Sequence, residues 1–432
     1  MTLAETNTLK RTLGLPGAMI LGLGSMLGTG VFVALGLAAG HSGQLVWVAV
    51  LIGGLLAILN GFSSARLAAA HPVSGGTYEY GHRELQPWAG VLCGWLFLVA
   101  KSASAATASI GIASYLFPDQ LVGPGRILLL APLLVAAAIS MIGLRPAMWL
   151  TAILLLVAGI GLTGFVWLGF GADGMTDVDT ARASMDADFA DLLLAGGLVF
   201  VAFTGYGRIA TLGEEIHDPA RSIPIAVALT VGLSAIVYAL VAMAGVRLVG
   251  GTAFGMYADT DQGPLAMIAK EAGSPGLATM LRIGAVCAIG SVLLNLVLGL
   301  SRVVLAMGRR HDMPGTSARI VHGQPMVAIV MVTVAVGVIA MLGSVKAAWT
   351  GSAAAVLIYY AFTNAASFRM CLRGHRRVAA AIASLAGMIG CVTVAMALPA
   401  EAWLPVGIAV ACGIILTLLS RIMTPQSGET PG

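Results

Sequence analysis

Two charged side chains stand in stretches of the chain that are otherwise apolar. Lys101 lies within Phe97–Ala105, and Arg208 directly follows the sequence Gly-Tyr-Gly. A charge at membrane depth costs about 3 kcal/mol or more, so such residues are functional by default. Lys101 could supply a titratable or counter-ion charge inside a cavity, or it could snorkel to an interface. Arg208 could pair with Glu214, Glu215 or an acid of another helix as a gate or clamp, or it could line a water-filled vestibule.

Glycines interrupt two of the apolar stretches. Four lie within Gly22–Gly30, and two more interrupt Phe200–Arg208. Each glycine inside a helix costs about 1 kcal/mol relative to alanine, which is a high cost where no water can bind the backbone. The glycines could allow close packing between helices. Alternatively, both helices could be broken at mid-membrane, with their free ends binding a ligand. Paired interruptions in two corresponding segments favour broken helices.

The composition indicates which solvent surrounds these segments. Of 432 residues, 58% are hydrophobic and 10% are charged, whereas soluble proteins carry about 25% charged residues. The net charge of +4 is spread between apolar runs, which excludes a nucleic-acid surface. The five cysteines show no metal-binding or disulfide spacing, so we expect no metal and no cofactor. The first apolar run is too long and too rich in glycine for a cleaved signal peptide.

Twelve apolar runs approach the length of about 20 residues that a bilayer requires. We call them span 1 to span 12: Leu15–Ala39, Gln44–Ala69, Trp88–Phe117, Ile127–Ile142, Met148–Phe170, Leu192–Leu212, Ile225–Leu248, Met280–Met307, Val327–Leu342, Ala347–Phe368, Val378–Leu398 and Leu404–Ile422. With the N-terminus in the cytoplasm, most lysines and arginines fall on the cytoplasmic side, as the positive-inside rule requires. The acidic segment 172–191 before span 6 then lies outside. An even number of spans places both termini in the cytoplasm.

Five short motifs occur in order along nearly the whole chain. They are the span 1 glycines with Val31-Phe32, Pro72–Tyr80 after span 2, Gly94-Trp95 in span 3, Ala202–Tyr206 with Glu214–Pro224 at span 6, and Ser301-Arg302 with Arg309–Pro314 at span 8. In this order they resemble the motifs of the amino acid–polyamine–organocation superfamily of transporters. The resemblance implies an all-α membrane fold of about 12 transmembrane helices.

The same resemblance implies an internal division of the chain. Spans 1–5 (13–171) and spans 6–10 (172–370) are expected to form a five-plus-five inverted repeat with discontinuous spans 1 and 6. Spans 11–12 (371–423) are two extra C-terminal helices, and 1–12 and 424–432 are cytoplasmic tails. Many proton-coupled relatives carry a lysine in span 5. Span 5 has no charge in this chain, so we expect the coupling charge at Lys101 on span 3.

A substrate site at the two interruptions is also implied. The α-carboxylate of an amino acid would meet backbone amides around Ser25–Gly30, where the positive end of a half-helix favours an anion. The α-amino group would meet carbonyls around Phe200–Thr204. Phe203 is as compatible with simple packing as with lining the site. The expected binding residues are Gly24, Ser25, Met26, Gly28, Thr29, Gly30, Phe200, Val201, Ala202, Phe203, Thr204 and Gly205, with Arg208, Glu214 and Glu215 as gating residues.

The leading functional hypothesis is therefore a secondary active transporter of amino acids in the plasma membrane. It would work by alternating access, with protons or a counter-substrate as coupling partner and lipid as surroundings. Because no predicted span contains a carboxylate that could bind a cationic side chain, we expect a neutral substrate, with an acidic one left open. Alternatives are a sodium symporter using Ser291 and Asn295, a polyamine or amine transporter, and a sensor that does not transport.

An enzyme is not expected, because no HExxH motif, paired intramembrane aspartate or serine–histidine couple lies within the spans. Four polar residues in the loop after span 2 also lack the spacing of metal ligands. We expect them to form a hydrogen-bond network at an inner gate. They are His71, Glu79, His82 and Glu84.

Overall fold

The computed structural model describes residues 11–117, 120–121, 123–171, 188–211, 214–259, 263–342, 344–373 and 378–423. Over these residues the chain is helical, and its only β-type pairings are two isolated bridges. Most of the acidic segment before span 6 and most of both predicted tails lie outside the described residues.

Nine helical stretches in the described part of the chain are long and apolar enough to cross a membrane. The first, Leu15–Ala70, contains spans 1 and 2. Met326–Leu342 is a shorter apolar helix, and Val345–Arg373 is long but carries more polar side chains. Counted in this way, the helices correspond to the twelve predicted spans.

The bounds of the spans differ from the predicted runs by a few residues. The three segments of span 1 are Leu15–Met26, Gly30–Ala34 and Leu35–Ser42, and those of span 6 are Phe189–Phe203, Thr204–Tyr206 and Gly207–Thr211. Spans 2–5 are Val46–Ala70, Pro87–Leu116, Gly123–Ile142 and Leu144–Gly171. Spans 7–12 are Pro219–Val249, Pro275–Arg309, Met326–Leu342, Val345–Arg373, Val378–Met396 and Trp403–Met423. Short helices between spans include Thr77–Tyr80, Gly81–Leu85, Gly251–Met256 and Pro264–Glu271.

Local sequence explains where several of these helices begin and end. Pro87, Pro219 and Pro275 each occupy the first helical position, where the missing N–H costs no hydrogen bond. Span 7 ends at Gly250, whose φ of +80° is accessible to glycine without strain. These signals set where spans 3, 7 and 8 begin and where span 7 ends.

The helices pack in pairs that are related by the five-span offset. Span 2 contacts span 7, span 3 contacts span 8, and span 4 contacts span 9. Span 3 packs against span 10, and the equivalent pair in the other repeat, span 8 and span 5, is also in contact. In the same way, span 1 packs against span 7, and span 6 packs against span 2. Spans 11 and 12 pack outside this arrangement, against spans 2, 3 and 10. The predicted fold class, with two additional C-terminal helices, is confirmed.

Spans 3 and 8 form the centre of the molecule. The most apolar part of span 3 is 89% buried and that of span 8 is 72% buried, against 28% for spans 4, 5 and 12. Large apolar side chains such as Trp167 and Ile142 are exposed on the outer helices, where lipid solvates them. The central helices are therefore the ones whose polar side chains can serve an internal site.

Candidate functional site

Both predicted interruptions are present. The first helix of span 1 ends at Met26, and Leu27 leaves the helical region with φ −78° and ψ 55°. The chain then resumes a helical course over Gly30–Ala34. In span 6 the helix ends at Phe203, and the tight turn Thr204–Tyr206 precedes the next helix. Each break lies near the middle of its span.

The two interruptions are in direct contact. A Cβ atom on Gly205 would lie 2.6 Å from the carbonyl carbon of Ser25 and 2.7 Å from Cγ of Met26, so only glycine fits there. Tyr238 of span 7 joins the same two segments. Its hydroxyl donates to the carbonyl of Met26 at 2.6 Å and lies 3.2 Å from that of Ala202. Tyr238 was not among the predicted residues, because in the sequence it is an aromatic residue of an apolar helix and only the fold brings it to the two interruptions.

A small cavity lies where the two interruptions meet span 3 and span 8. Six predicted binding residues line it: Ser25, Thr29, Val201, Ala202, Thr204 and Gly205. Lys101 and Arg208 line it as well, and so does Asn295, which was considered only for sodium binding. The lining residues that were not predicted are Phe97, Ser104, Val292, Leu296, Gly299 and Trp349. The free volume is about 30 Å³, which is room for one or two water molecules. An amino acid can therefore enter only if the surrounding helices move apart.

The other predicted glycines of span 1 pack against neighbouring helices in this conformation. A Cβ on Gly24 would lie 2.2 Å from the Thr151 side chain, and one on Gly28 would lie 2.5 Å from the Ala288 carbonyl oxygen. A Cβ on Gly30 would lie 2.2 Å from the Tyr238 hydroxyl. The glycine string thus serves both of the roles considered for it, because it permits the break and it permits close packing around the break.

Three predicted apolar residues also lie beside the cavity rather than on its wall. Phe203 packs on the Tyr238 ring at 4.8 Å between centroids. The Met26 sulfur accepts a hydrogen bond from Ser234 at 3.2 Å, and Phe200 packs on Tyr360 at 5.6 Å. All three side chains are buried. For Phe203, packing is the role that this conformation shows.

Lys101 contacts the interruption of span 6 directly. Its Nζ donates to Oγ1 of Thr204 at 2.5 Å, and that hydroxyl donates to the carbonyl of Val201 at 2.6 Å. The lysine is 6% exposed, so its ammonium end points inward and does not snorkel to an interface. Lys101 is therefore hydrogen-bonded to the turn that interrupts span 6.

Of the alternatives considered for Arg208, this conformation shows the lining role: the side chain faces the cavity and forms no ion pair with Glu214 or Glu215. Its Nη1 lies 3.4 Å from Oγ1 of Thr211 within the same short helix. The two acids follow that helix and turn toward the end of span 8, where each meets another arginine. Glu214 binds Arg309 at 3.0 Å, and Glu215 binds Arg302 at 3.1 Å.

A second polar cluster lies at the ends of spans 2, 8 and 12. Of the four residues expected to form a network, His71 and Glu84 bond each other, at 2.8 Å, whereas Glu79 binds Arg310, at 2.6 Å. Asp312 lies at the centre of the cluster, although it was not predicted as a functional residue. One of its carboxylate oxygens accepts from Arg421 at 2.6 Å and the other from Tyr78 at 2.6 Å. Asp312 thereby joins span 12 to the loop after span 2.

Replacing Asp312 with alanine is expected to destabilise the folded protein by about 2 kcal/mol, because the fully buried Tyr78 hydroxyl would lose its acceptor. Burial next to the carboxylate raises the pKa of Tyr78, so the phenol remains a donor. Thermal unfolding of the purified protein in detergent measures the effect. Glu401→Gln, at an exposed site, is the control. Equal melting temperatures for Asp312→Ala and the control would contradict the role assigned to Asp312.

The stability of this cluster is expected to fall as the pH falls. His82 is buried, with Nδ1 2.9 Å from the carbonyl of Tyr78 and Nε2 3.5 Å from Asp312. Burial lowers the pKa of His82, so the unfolded chain takes up the proton more readily, and stability is lost below the unfolded value of about 6.5. Between about pH 7.5 and 5.5 the melting temperature of the wild type should drop more than that of His82→Gln. Equal drops in the two proteins would show that His82 carries none of the pH dependence.

Comparison with known proteins agrees with the geometry of the site. The chain matches the family model of amino acid permeases over residues 17–424. It is 38% identical to an uncharacterised transporter of Mycobacterium tuberculosis, with 98% of this chain and 95% of that protein covered. It is also similar to two Bacillus subtilis proteins. The branched-chain amino acid permease BcaP is 28% identical, with 74% and 72% coverage, and a methylthioribose transporter is 24% identical, with 73% and 71% coverage. Because the family match extends over almost the whole chain, this protein belongs to the amino acid permease family and is a membrane transporter rather than an enzyme.

Proposed function

We propose that this protein is a secondary active transporter that carries an amino acid across the plasma membrane by alternating access. The observation that carries the proposal is the meeting of both helix interruptions with a buried lysine at one cavity. The α-carboxylate would bind at the span 1 break around Ser25–Gly30, where a half-helix end favours an anion. The α-amino group would bind near the carbonyls of Phe200–Thr204. Because no acidic side chain lines the described cavity, a neutral or acidic substrate fits better than a cationic one or a polyamine.

Alternating access is supported by a difference between the two ends of the spans: one end has a depression and the other is joined by ion pairs. A separate depression of about 240 Å³ is lined by Leu37, Tyr115 and Lys346, at the opposite ends of their spans from the Asp312 cluster. We propose that the ion pairs of Glu214 and Glu215 close the cytoplasmic side, and that Arg208 takes part in the same gate. In this assignment 13–171 and 172–370 are the two repeats, and both termini are cytoplasmic. Cysteines introduced near each terminus should then react with an impermeant reagent only after the cells are opened.

Lys101 is the proposed coupling residue. Loss of its proton would weaken the hydrogen bond that it donates to Thr204, and so the hold on the span 6 turn. Proton symport or exchange is therefore favoured over sodium symport. Sodium would bind between spans 1 and 8, where it needs oxygen ligands. There the carbonyl oxygens of Gly24 and Ser291 already accept hydrogen bonds, from the Ser291 hydroxyl at 3.0 Å and from the Asn295 amide at 2.9 Å.

A thermal-shift screen of the purified protein against the standard amino acids tests the substrate class. Ligands that bind only the folded state raise the melting temperature. We expect stabilisation by at least one amino acid and none by polyamines. The same protein in liposomes should take up that amino acid equally well when sodium is replaced by choline. Dependence on sodium would favour the symporter alternative, and stabilisation by polyamines alone would contradict the amino acid assignment.

A further inference from the structure

The charges around the cavity are unbalanced. Lys101 and Arg208 line it and are each 6% exposed, and the described lining residues include no aspartate or glutamate. A buried charge is stable only when it is paired or densely hydrogen-bonded. Lys101 has the Thr204 hydroxyl as a partner, but a hydroxyl is neutral. The side chains that line the cavity therefore include two cations and no carboxylate.

Arg208 is the less satisfied of the two cations. Its Nε and Nη2 atoms are buried and have no hydrogen-bond partner, and Nη1 has only the long contact with Thr211. The side chain lies across span 8 at Gly299, where an added Cβ would be 3.4 Å from Cδ of the arginine. The guanidinium thus borders the cavity with two of its nitrogen atoms free.

The acids closest in sequence do not pair with Arg208. Glu215 uses both carboxylate oxygens on Arg302, at 3.1 and 3.4 Å. One oxygen of Glu214 accepts from Arg309 and from the backbone amide of Ser74, each at 3.0 Å, and its other oxygen is buried without a hydrogen-bond partner. Both carboxylates lie at the end of span 8, so a ligand in the cavity is the group that can reach the free nitrogen atoms of Arg208.

We propose that the substrate is an amino acid whose side chain ends in a carboxylate, and that Arg208 binds this carboxylate. The inference rests on the proposed transport function and narrows the substrate class. A neutral zwitterion brings one positive and one negative group, so it leaves the positive excess unchanged. A second carboxylate removes part of that excess, and it matches the planar guanidinium, which can donate two parallel hydrogen bonds. From the sequence, the lack of a carboxylate in the spans suggested a neutral substrate. The unpaired Arg208 in a cavity without a carboxylate points instead to an acidic substrate.

The test compares pairs of ligands that differ only in this charge. Counterflow of labelled glutamate, glutamine, aspartate and asparagine is measured in proteoliposomes with the wild-type protein. We expect one acid to be carried at least about tenfold better than its amide. Counterflow of amides or other neutral amino acids with none of the acids would overturn the inference and leave the transport function intact. No counterflow of any amino acid would contradict both.

Two variants assign the effect to the arginine. Arg208→Gln should lose the preference for acid over amide, whereas Arg208→Lys, which keeps the charge, should retain it with weaker affinity. Arg145→Gln, at an exposed position, is the matched control and should behave like the wild type. Thermal unfolding shows whether each variant is folded. If a variant is not folded, the ratio of acid to amide counterflow in the wild type alone tests whether the substrate is acidic. An unchanged acid preference in folded Arg208→Gln would remove Arg208 from the site.

Discussion

Replacing Gly205 with alanine is expected to reduce transport by about a hundredfold or more, because a displacement of about 1 Å at a binding site can cost that much. The added methyl group would lie 2.6 Å from the backbone of Ser25. Backbone atoms cannot rotate away as a side chain can, so the two interruptions must separate. The cavity between them would lose its shape, and the Tyr238 hydroxyl could no longer reach both Met26 and Ala202.

The measurement is initial uptake in proteoliposomes with equal amounts of folded protein. Gly232→Ala is the matched control, because a Cβ at Gly232 meets nothing within 4 Å and the residue lies on the exposed side of span 7. The control should transport at the wild-type rate. If Gly205→Ala is folded and transports as fast as the control, the close contact between the interruptions is not part of the working site.

Replacing Lys101 with methionine is expected to abolish the dependence of transport on a proton gradient. Coupling to one proton lets a gradient of one pH unit support about tenfold accumulation, since a tenfold ratio corresponds to about 1.4 kcal/mol. Methionine has a similar length but cannot bind a proton or donate to Thr204. The variant should therefore bring its substrate only to equal concentrations on both sides, while it still exchanges labelled for unlabelled substrate.

Lys270→Met serves as the control, because Lys270 is an exposed lysine of a short helix outside the spans. It should accumulate substrate as the wild type does. A Lys101→Met protein that still accumulates substrate about tenfold under the same gradient would exclude Lys101 as the coupling group. Accumulation that is absent from the wild type as well would exclude proton coupling and favour exchange.

The fold was predictable because its signals are local. Length and apolarity define most spans, and glycines within Gly22–Gly30 and around Gly205 mark the two breaks. Span 10 is the exception, because apolarity alone would not have identified it. Its inward-facing Thr363, Asn364 and Ser367 are fully buried and make it less apolar than the other spans, yet its length still identified it.

The details of the site were less predictable because they depend on contacts between distant segments. Tyr238 is 212 residues from Met26, and nothing in its neighbourhood marks it as a residue that holds both breaks. Glu215 and Arg208 are close in sequence, which suggested a pair, but the Glu215 carboxylate binds Arg302 of span 8. The buried position of Lys101 at the cavity is what the energetic cost of an intramembrane charge suggested, and its coupling role stays a prediction.

Counterflow of labelled amino acid into proteoliposomes preloaded with the same unlabelled amino acid shows whether the protein carries a substrate between the two helix interruptions, because it requires no knowledge of the coupling ion. We expect transient accumulation of at least one amino acid with the wild-type protein, and its loss in Gly205→Ala but not in Gly232→Ala. Absence of counterflow for every amino acid with folded wild-type protein would exclude amino acid transport and favour a sensor that binds but does not transport. Equal counterflow in both glycine variants would contradict the placement of the substrate between the two helix interruptions.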